Sequence, residues 1–219
     1  MTHKSLDLHV PTLTRVEGEG AMHVVVRDGV VDDVQLEIYE PPRMFEAFLR
    51  GRAHHEPVDI TARICGICPV AYQMSAAHAI ERLAEVTVDG PIRDLRRLLY
   101  CGEWIESHVL HMAFLHAPDF LGVDSGITIA RDEPELMTEV LHLKKTGNRI
   151  MEVVGGRPIH PVNVRLGGFY RAPSRRELLD LVPDLERAHA AAVALVRWVV
   201  GFEFPTIPDR LAERTEFVS

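Results

Sequence analysis

Thr61-Ala62-Arg63-Ile64-Cys65-Gly66-Ile67-Cys68-Pro69-Val70 marks the point where the chain changes its hydrophobic period. From Pro69 onward the signal is consistently helical. Pro69 suits the first turn of a helix, where its missing N–H costs nothing. Ala71, Met74, Ala77, His78 and Leu83 then recur along one side of a segment expected to run to about Glu85. Ahead of this stretch the signal is that of a sheet. Met22-His23-Val24-Val25-Val26 leads into Arg27-Asp28-Gly29-Val30, and Asp-Gly between β-branched runs is a strong hairpin signal, because a type I′ turn needs positive φ at both central positions. Strands are expected near 21–27 and 30–39. In the second, Val34, Leu36 and Ile38 share one face and Asp33, Gln35 and Glu37 the other, which predicts a sheet with one wet side.

Pro41-Pro42 ends the sheet, and Met44, Phe45, Phe48 and Leu49 predict a short helix that closes at Gly51. Beyond the thiols, Pro91 opens a helix through Leu95, Leu99, Ile105 and Leu110 that should stop before Pro118. Asp132-Glu133-Pro134-Glu135 favours a helix start through the macrodipole, and Gly155-Gly156 ends that helix. Residues 157–172, with two prolines and a glycine pair, read as an ordered loop. Ser174-Arg175-Arg176-Glu177 is a capping box that launches a long helix to about Gly201. The expected fold class is α+β, mainly α: a small N-terminal antiparallel sheet followed by a bundle of long helices. Residues 1–60 would hold the hairpin sheet and short helix, and 61–219 the bundle with the thiols, integrated as one domain.

A chain of 219 residues, 47% of them hydrophobic, can bury roughly 70% of its unfolded surface, enough for a core without staples. The 24 basic residues against 32 acidic ones give a formal charge of -8, and the basic pairs are scattered, which argues against nucleic acid as a partner. The most apolar stretch, Ala190–Phe202, is broken by Arg197 and is shorter than the roughly 20 residues of a membrane span. It reads as a buried helix. Three cysteines make no disulfide framework and the N-terminus carries no secretion signal, so a cytoplasmic location is expected.

Cys65 and Cys68 are spaced for chemistry. If Cys68 caps the helix that Pro69 begins, the positive helix end and Arg63 would both favour thiolate. A thiolate pair is a soft ligand set, suited to zinc, copper, iron or nickel. Spacing alone leaves a metal site, a redox pair and plain packing all open. His108 and His111 lie at i and i+3 on one helix face, with His116 beyond, and could ligate or hydrogen-bond; Cys101 reads as a buried, inert thiol. Glu17 and Glu46 stand out from the other acids by nothing in their spacing. The chain has no glycine-rich dinucleotide motif, no P-loop and no nucleophile elbow.

Five blocks nevertheless occur in order: Arg15-Val16-Glu17-Gly18; Arg43 to Glu46 with Leu49-Arg50-Gly51-Arg52; Arg63 to Val70; His108-x-x-His111 through His116-Ala117-x-Asp119-Phe120; and Gly155-Gly156-Arg157-x-x-His160-Pro161. Together they resemble the large subunit of [NiFe]-hydrogenases, most closely the cytoplasmic, multisubunit type linked to NAD(P) or sulfur reduction. The resemblance implies a nickel held by four thiolates, two of them Cys65 (terminal) and Cys68 (also bridging to an iron that carries carbon monoxide and cyanide). It implies Glu17 as the proton-relay glutamate, Glu46 as a magnesium-site glutamate, and His111 with its neighbours as surrounding shell. The activity implied is reversible heterolytic cleavage of dihydrogen. The implied partners are an iron-sulfur small subunit and diaphorase-type NAD(P) subunits with flavin. Tyr72 departs from the pattern, standing where many relatives carry histidine. Up to Ser219 there is no second Cys-x-x-Cys, so the expectation is an N-terminal portion of a large subunit; the alternatives are a missing half supplied by another chain, or an inactive hydrogenase-like docking subunit. A structural zinc site from Cys65, Cys68, His108 and His111 leaves the other blocks unexplained.

Overall fold

The computed structural model describes residues 5–14, 16, 18–40 and 44–206. Two compact units divide the chain, Met1–Ala53 and His54–Ser219.

In the first unit, β1 (Leu6–Val10), β2 (Gly20–Arg27) and β3 (Val30–Ile38) form an antiparallel sheet in the order β1-β2-β3. The β2–β3 turn has Asp28 at φ 53° and Gly29 at φ 79°, the positive pair the hairpin signal demands. β1 was not anticipated: five residues with Pro11 directly behind them carry too short an alternation to read. The single wet face was not found either. Val34, Leu36 and Ile38 are exposed, Ile38 to 76%, so apolar alternation in β3 does not here mark a covered face. α1 (Phe45–Leu49) follows, with Met44 left-handed ahead of it.

The second unit is helical. α2 (Glu56–Ala62) escapes sequence reading because Pro57 looks like a breaker, yet it occupies the first turn, where no N–H is needed. α3 (Pro69–Leu83) and α4 (Gly90–Val109) start at the expected prolines. α4 does not stop before Pro118. It widens into a π-helical segment, Leu110–His116, and continues as α5 (Ala117–Leu121), closed by Gly122 at φ 66°. Pro118 lacks the N–H an α-helix needs at that place, and a locally wider turn is one way a helix accommodates this. α6 (Gly126–Asp132) precedes α7 (Pro134–Gly155), whose end at Gly156, φ 89°, matches the expected stop. The loop after α7 holds a minimal hairpin, β4 (Val164–Arg165) and β5 (Gly168–Phe169). The capping box is present: the Glu177 N–H donates to Ser174 Oγ, and the Glu177 carboxylate accepts from the Ser174 N–H. It opens only α8 (Arg175–Leu179); the helix restarts as α9 (Val182–Val200), with Pro183 in its first turn. α9 is buried along Ala188, Ala191 and Leu195, while Val196 and Val200 are exposed; it is amphipathic rather than buried all round.

Two apolar clusters flank the α4–α7 contact. Val58, Val70, Met74, Ala77, Leu99, Met151, Val154 and Val164 join α2, α3, α4, α7 and β4 on one side. On the other, Val109, Ala113, Val140, Leu143, Ala188, Ala191 and Leu195 join α4, the π segment, α7 and α9. Between the clusters α4 and α7 touch backbone to backbone at Gly102 and Gly147. A Cβ on Gly147 would lie 2.7 Å from the Gly102 carbonyl oxygen and 2.8 Å from the Glu106 nitrogen. Gly147→Ala is therefore expected to destabilise the chain by about 1–3 kcal/mol; an unchanged thermal midpoint would show that the two helices can part without loss.

Candidate metal centre

Cys65 and Cys68 occupy the tight loop between α2 and α3. Their Cα atoms are 5.4 Å apart and the sulfurs are joined as a disulfide. Both residues are half-buried. The loop is folded so that the Cys68 N–H donates to Cys65 Sγ at 3.1 Å, which places both sulfurs on the same side of the backbone. Reduced, the pair presents two soft donors to one ion.

Each cysteine is braced differently. On the Cys65 side stands His160, whose ring is hydrogen-bonded to the Cys65 backbone. His160 has φ 50°, a left-handed conformation held in place by Arg157 Nε, which donates to the His160 carbonyl at 2.6 Å. Burial, opposed by the Cys65 hydrogen bond and joined by the Arg63 and Arg157 charges, pushes the His160 imidazole below its ordinary range. Arg63, Arg157, Pro158, Ile159 and His160 line a cavity of about 360 Å³. Asp59 completes this cluster; burial pushes its carboxyl up against the pull of Arg63, Arg157 and His55.

On the Cys68 side, the α3 N-terminus has no side-chain cap from Cys68. A carboxylate from α4 takes that role: Glu103 Oε2 accepts from the Val70 N–H at 2.5 Å and Oε1 from the Ala71 N–H at 3.1 Å. Glu103 is only 2% exposed. Burial, reinforced by the nearby Glu106 and opposed by the two amides, pushes its carboxyl up to about 7. The positive helix end that the sequence assigns to Cys68 is thus shared with an acid 33 residues away in sequence. Glu103 carries no sequence signal, since it lies among other polar positions of a helix and its partner is backbone.

Glu46 is exposed on α1, in the other unit, and Glu17 lies outside the described residues. Tyr72 is on the first turn of α3 and exposed. His108 is exposed on the last turn of α4, while His111 stacks on His116 at 5.9 Å and His111 Nδ1 meets the Ser107 carbonyl at 2.6 Å. Cys101 is free and half-buried. Among the described residues no group of three or more His, Cys, Asp or Glu could hold a metal ion, so the four-ligand zinc arrangement of Cys65, Cys68, His108 and His111 is not formed. The two thiols of the loop, when reduced, are donors of the kind a soft metal takes. A cavity of about 760 Å³ between α3 and α4, lined by Arg82, Arg93, Arg97, Tyr100 and Trp104, includes neither thiol; the chemistry of the loop is not there.

Comparison with known proteins bears on this loop. The nickel-dependent hydrogenase family matches residues 43–136, a span that includes both thiols. Sulfhydrogenase 2 subunit alpha of Pyrococcus furiosus is 40% identical over 171 residues, 78% of this chain and 42% of the relative. Sulfhydrogenase 1 subunit alpha of the same organism is 34% identical over 188 residues, 86% of this chain and 44% of the relative. Among solved structures, an NAD+-reducing [NiFe]-hydrogenase in its hydrogen-reduced state superposes with TM-score 0.77 at 34% identity, covering 89% of this chain and 46% of that one. The Ni-Fe-Se hydrogenase of D. vulgaris Hildenborough, at 24% identity and TM-score 0.72 over 90% of this chain and 44% of that one, shares the fold. The chain thus spans less than half the length of the relatives it matches. With the thiol loop inside the matched span and the fold in common, the chain belongs to the nickel-dependent hydrogenase family, among its large, alpha-type subunits.

Proposed function

We infer that Cys65 and Cys68 are two of the four thiolates of a nickel–iron centre, in the large subunit of an enzyme that cleaves dihydrogen reversibly. One observation carries this reading: both sulfurs are presented together at the mouth of α3, inside the stretch that matches the family. Cys65 would be the terminal nickel ligand and Cys68 the one shared with an iron bearing carbon monoxide and cyanide. When bound, that centre supplies the Lewis acidity that polarises dihydrogen for heterolytic cleavage. Cys65 Sγ, as thiolate, takes the proton, and the Glu17 carboxylate passes it outward. Glu46 helps to hold magnesium.

With two of three cysteines committed to the pair, the chain cannot hold iron-sulfur clusters of its own, so electrons leave through an iron-sulfur small subunit. Likeness to an NAD+-reducing hydrogenase supports diaphorase-type NAD(P) subunits with flavin as further partners. A reducing cytoplasm suits a thiol pair that must stay open; no helix among the described residues is long and apolar enough to cross a membrane.

The test is the composition of the purified natural assembly, by metal analysis and subunit masses together. Nickel is expected together with a molar excess of iron, because the clusters of the small subunit add theirs, with nickel lost in Cys65→Ala; hydrogen uptake that survives Cys65→Ala would sink the reading. The alternative is an unmetallated docking subunit, and an assembly free of nickel would select it.

A further inference from the structure

The geometry points to Glu103 as the positioning residue of the thiol pair: its buried carboxylate pins the first turn of α3 to α4 and thereby fixes where the Cys68 sulfur lies. This inference rests on the reading of Cys65 and Cys68 as metal-binding thiolates.

A helix leaves its first N–H groups without intrahelical partners. In α3 the first residue is Pro69, which has no N–H, so Val70 and Ala71 are the first donors available. Cys68, the residue at the cap position, offers no side-chain acceptor to them. Glu103 accepts from both, one oxygen each, at 2.5 and 3.1 Å. A hydrogen bond to an ionisable carboxylate is stronger than one between neutral groups, and here water cannot substitute, since Val70 is fully buried and Glu103 nearly so.

The anchor is rigid at its other end. Glu103 follows Gly102, where α4 lies against the Gly147 backbone of α7, so the carboxylate is carried by a helix held in close backbone contact with its neighbour. The chain then runs from the pinned amides back through Pro69 to Cys68 with no freely turning residue between them. Proline's ring fixes its own φ. Displacing Val70 therefore displaces Cys68, and with it the N–H that meets Cys65 Sγ. A metal bound by two thiolates is sensitive to their relative placement, and residues that orient ligands without touching the metal commonly change its affinity by about 10–100-fold.

The experiment uses cobalt(II), whose thiolate charge-transfer and visible bands report ligand geometry, on the full chain kept reduced, with Cys101→Ser throughout so that only the pair responds. The parent is expected to bind cobalt with a thiolate band. Glu103→Leu, which offers the amides no acceptor, is expected to weaken binding by about tenfold and to shift the visible bands. Glu103→Gln, which keeps a carbonyl acceptor, should restore most of both. Glu81→Gln weakens another buried contact between α3 and α4 and serves as the stability control: it should lower the thermal midpoint and leave the cobalt spectrum alone.

Parent-like affinity and bands in Glu103→Leu would overturn the proposal, as would Glu81→Gln altering them to the same extent. If Glu103→Leu does not fold, Glu103→Ala, which also removes the acceptor from the Val70 and Ala71 amides, takes its place, and cobalt affinity and bands no different from the parent in Glu103→Ala then overturn the proposal. A parent that binds no cobalt, or a Cys65→Ser, Cys68→Ser double variant that binds it equally well, overturns the thiol-pair reading itself and the role of Glu103 with it.

Discussion

Arg96→Ala is expected to destabilise the chain by about 3–5 kcal/mol, the range for removing one partner of a buried ion pair. Arg96 Nη1 and Nη2 donate to the two Glu81 oxygens at 2.8 and 2.6 Å, and the side chains are 4% and 5% exposed. The same groups tie in the β4–β5 hairpin: Arg96 Nη2 donates to the Arg165 carbonyl at 3.1 Å, and the Gly167 N–H donates to Glu81 Oε1 at 2.8 Å. Without the guanidinium a carboxylate is left buried with a single amide. The pH dependence follows from Glu81. Burial pushes its carboxyl up, but Arg96 and the Gly167 amide more than reverse this, and the net lies below the ordinary 4.5. A group held down in this way stabilises the fold above its unfolded value and loses that contribution as pH falls through the folded one. The deficit of Arg96→Ala, measured by urea unfolding, should therefore be largest near pH 7 and shrink in acid. A deficit under about 1 kcal/mol at pH 7 would mean that water reaches Glu81.

Glu103 has the opposite sign. Its carboxyl stands at about 7 in the folded chain against 4.5 ordinarily, so between these values the folded state binds more protons than the unfolded one. Stability from this group is whole below about pH 4.5 and falls as pH rises toward 7 and just beyond. A displacement of this size corresponds to about 3 kcal/mol. Glu103→Gln cannot titrate. The difference in unfolding free energy, parent minus Glu103→Gln, should drop by about 3 kcal/mol between pH 4.5 and pH 8, with contributions shared by both proteins cancelling. A flat difference would place the carboxyl at its ordinary value and the amides in control of it.

How much of this was legible in sequence depends on where each signal lives. Asp28-Gly29, Pro69, Pro134 and Gly156 are local instructions, each acting through its own φ or missing N–H, and each appears where it was expected. The order of elements, sheet then helices, came with them. Pro118 misled, and the helix starts at Pro57 and Pro183 went unread, because a proline's effect depends on whether it falls in a first turn, and that frame is set by packing not visible locally. The thiol pair was plain, and the ordered blocks around it gave the family. Glu103, Glu81 and Arg96 were not visible. Their partners lie 15 to 86 residues away, several of those partners are backbone groups, and a buried acid looks like an exposed one until the fold is known. Gly102 and Gly147 were passed over for a related reason: their requirement is the closeness of another helix, which leaves no mark in their own neighbourhoods.

The π-helical segment changes the ruler by which spacing is read. On an α-helix five residues turn the chain by 500°, leaving side chains about 140° apart in angular phase. Yet His111 and His116 stack, and His116 Nδ1 meets the His111 carbonyl at 2.9 Å, because Leu110–His116 is wound with more residues per turn. The α-helical ruler pairs His108 with His111 instead, a pairing that leaves His108 pointing to solvent. A residue inserted or deleted within this turn would reset the phase of everything after it, so α5 and the aromatic contact of Phe120 with Phe202 inherit their direction from a single overwide turn.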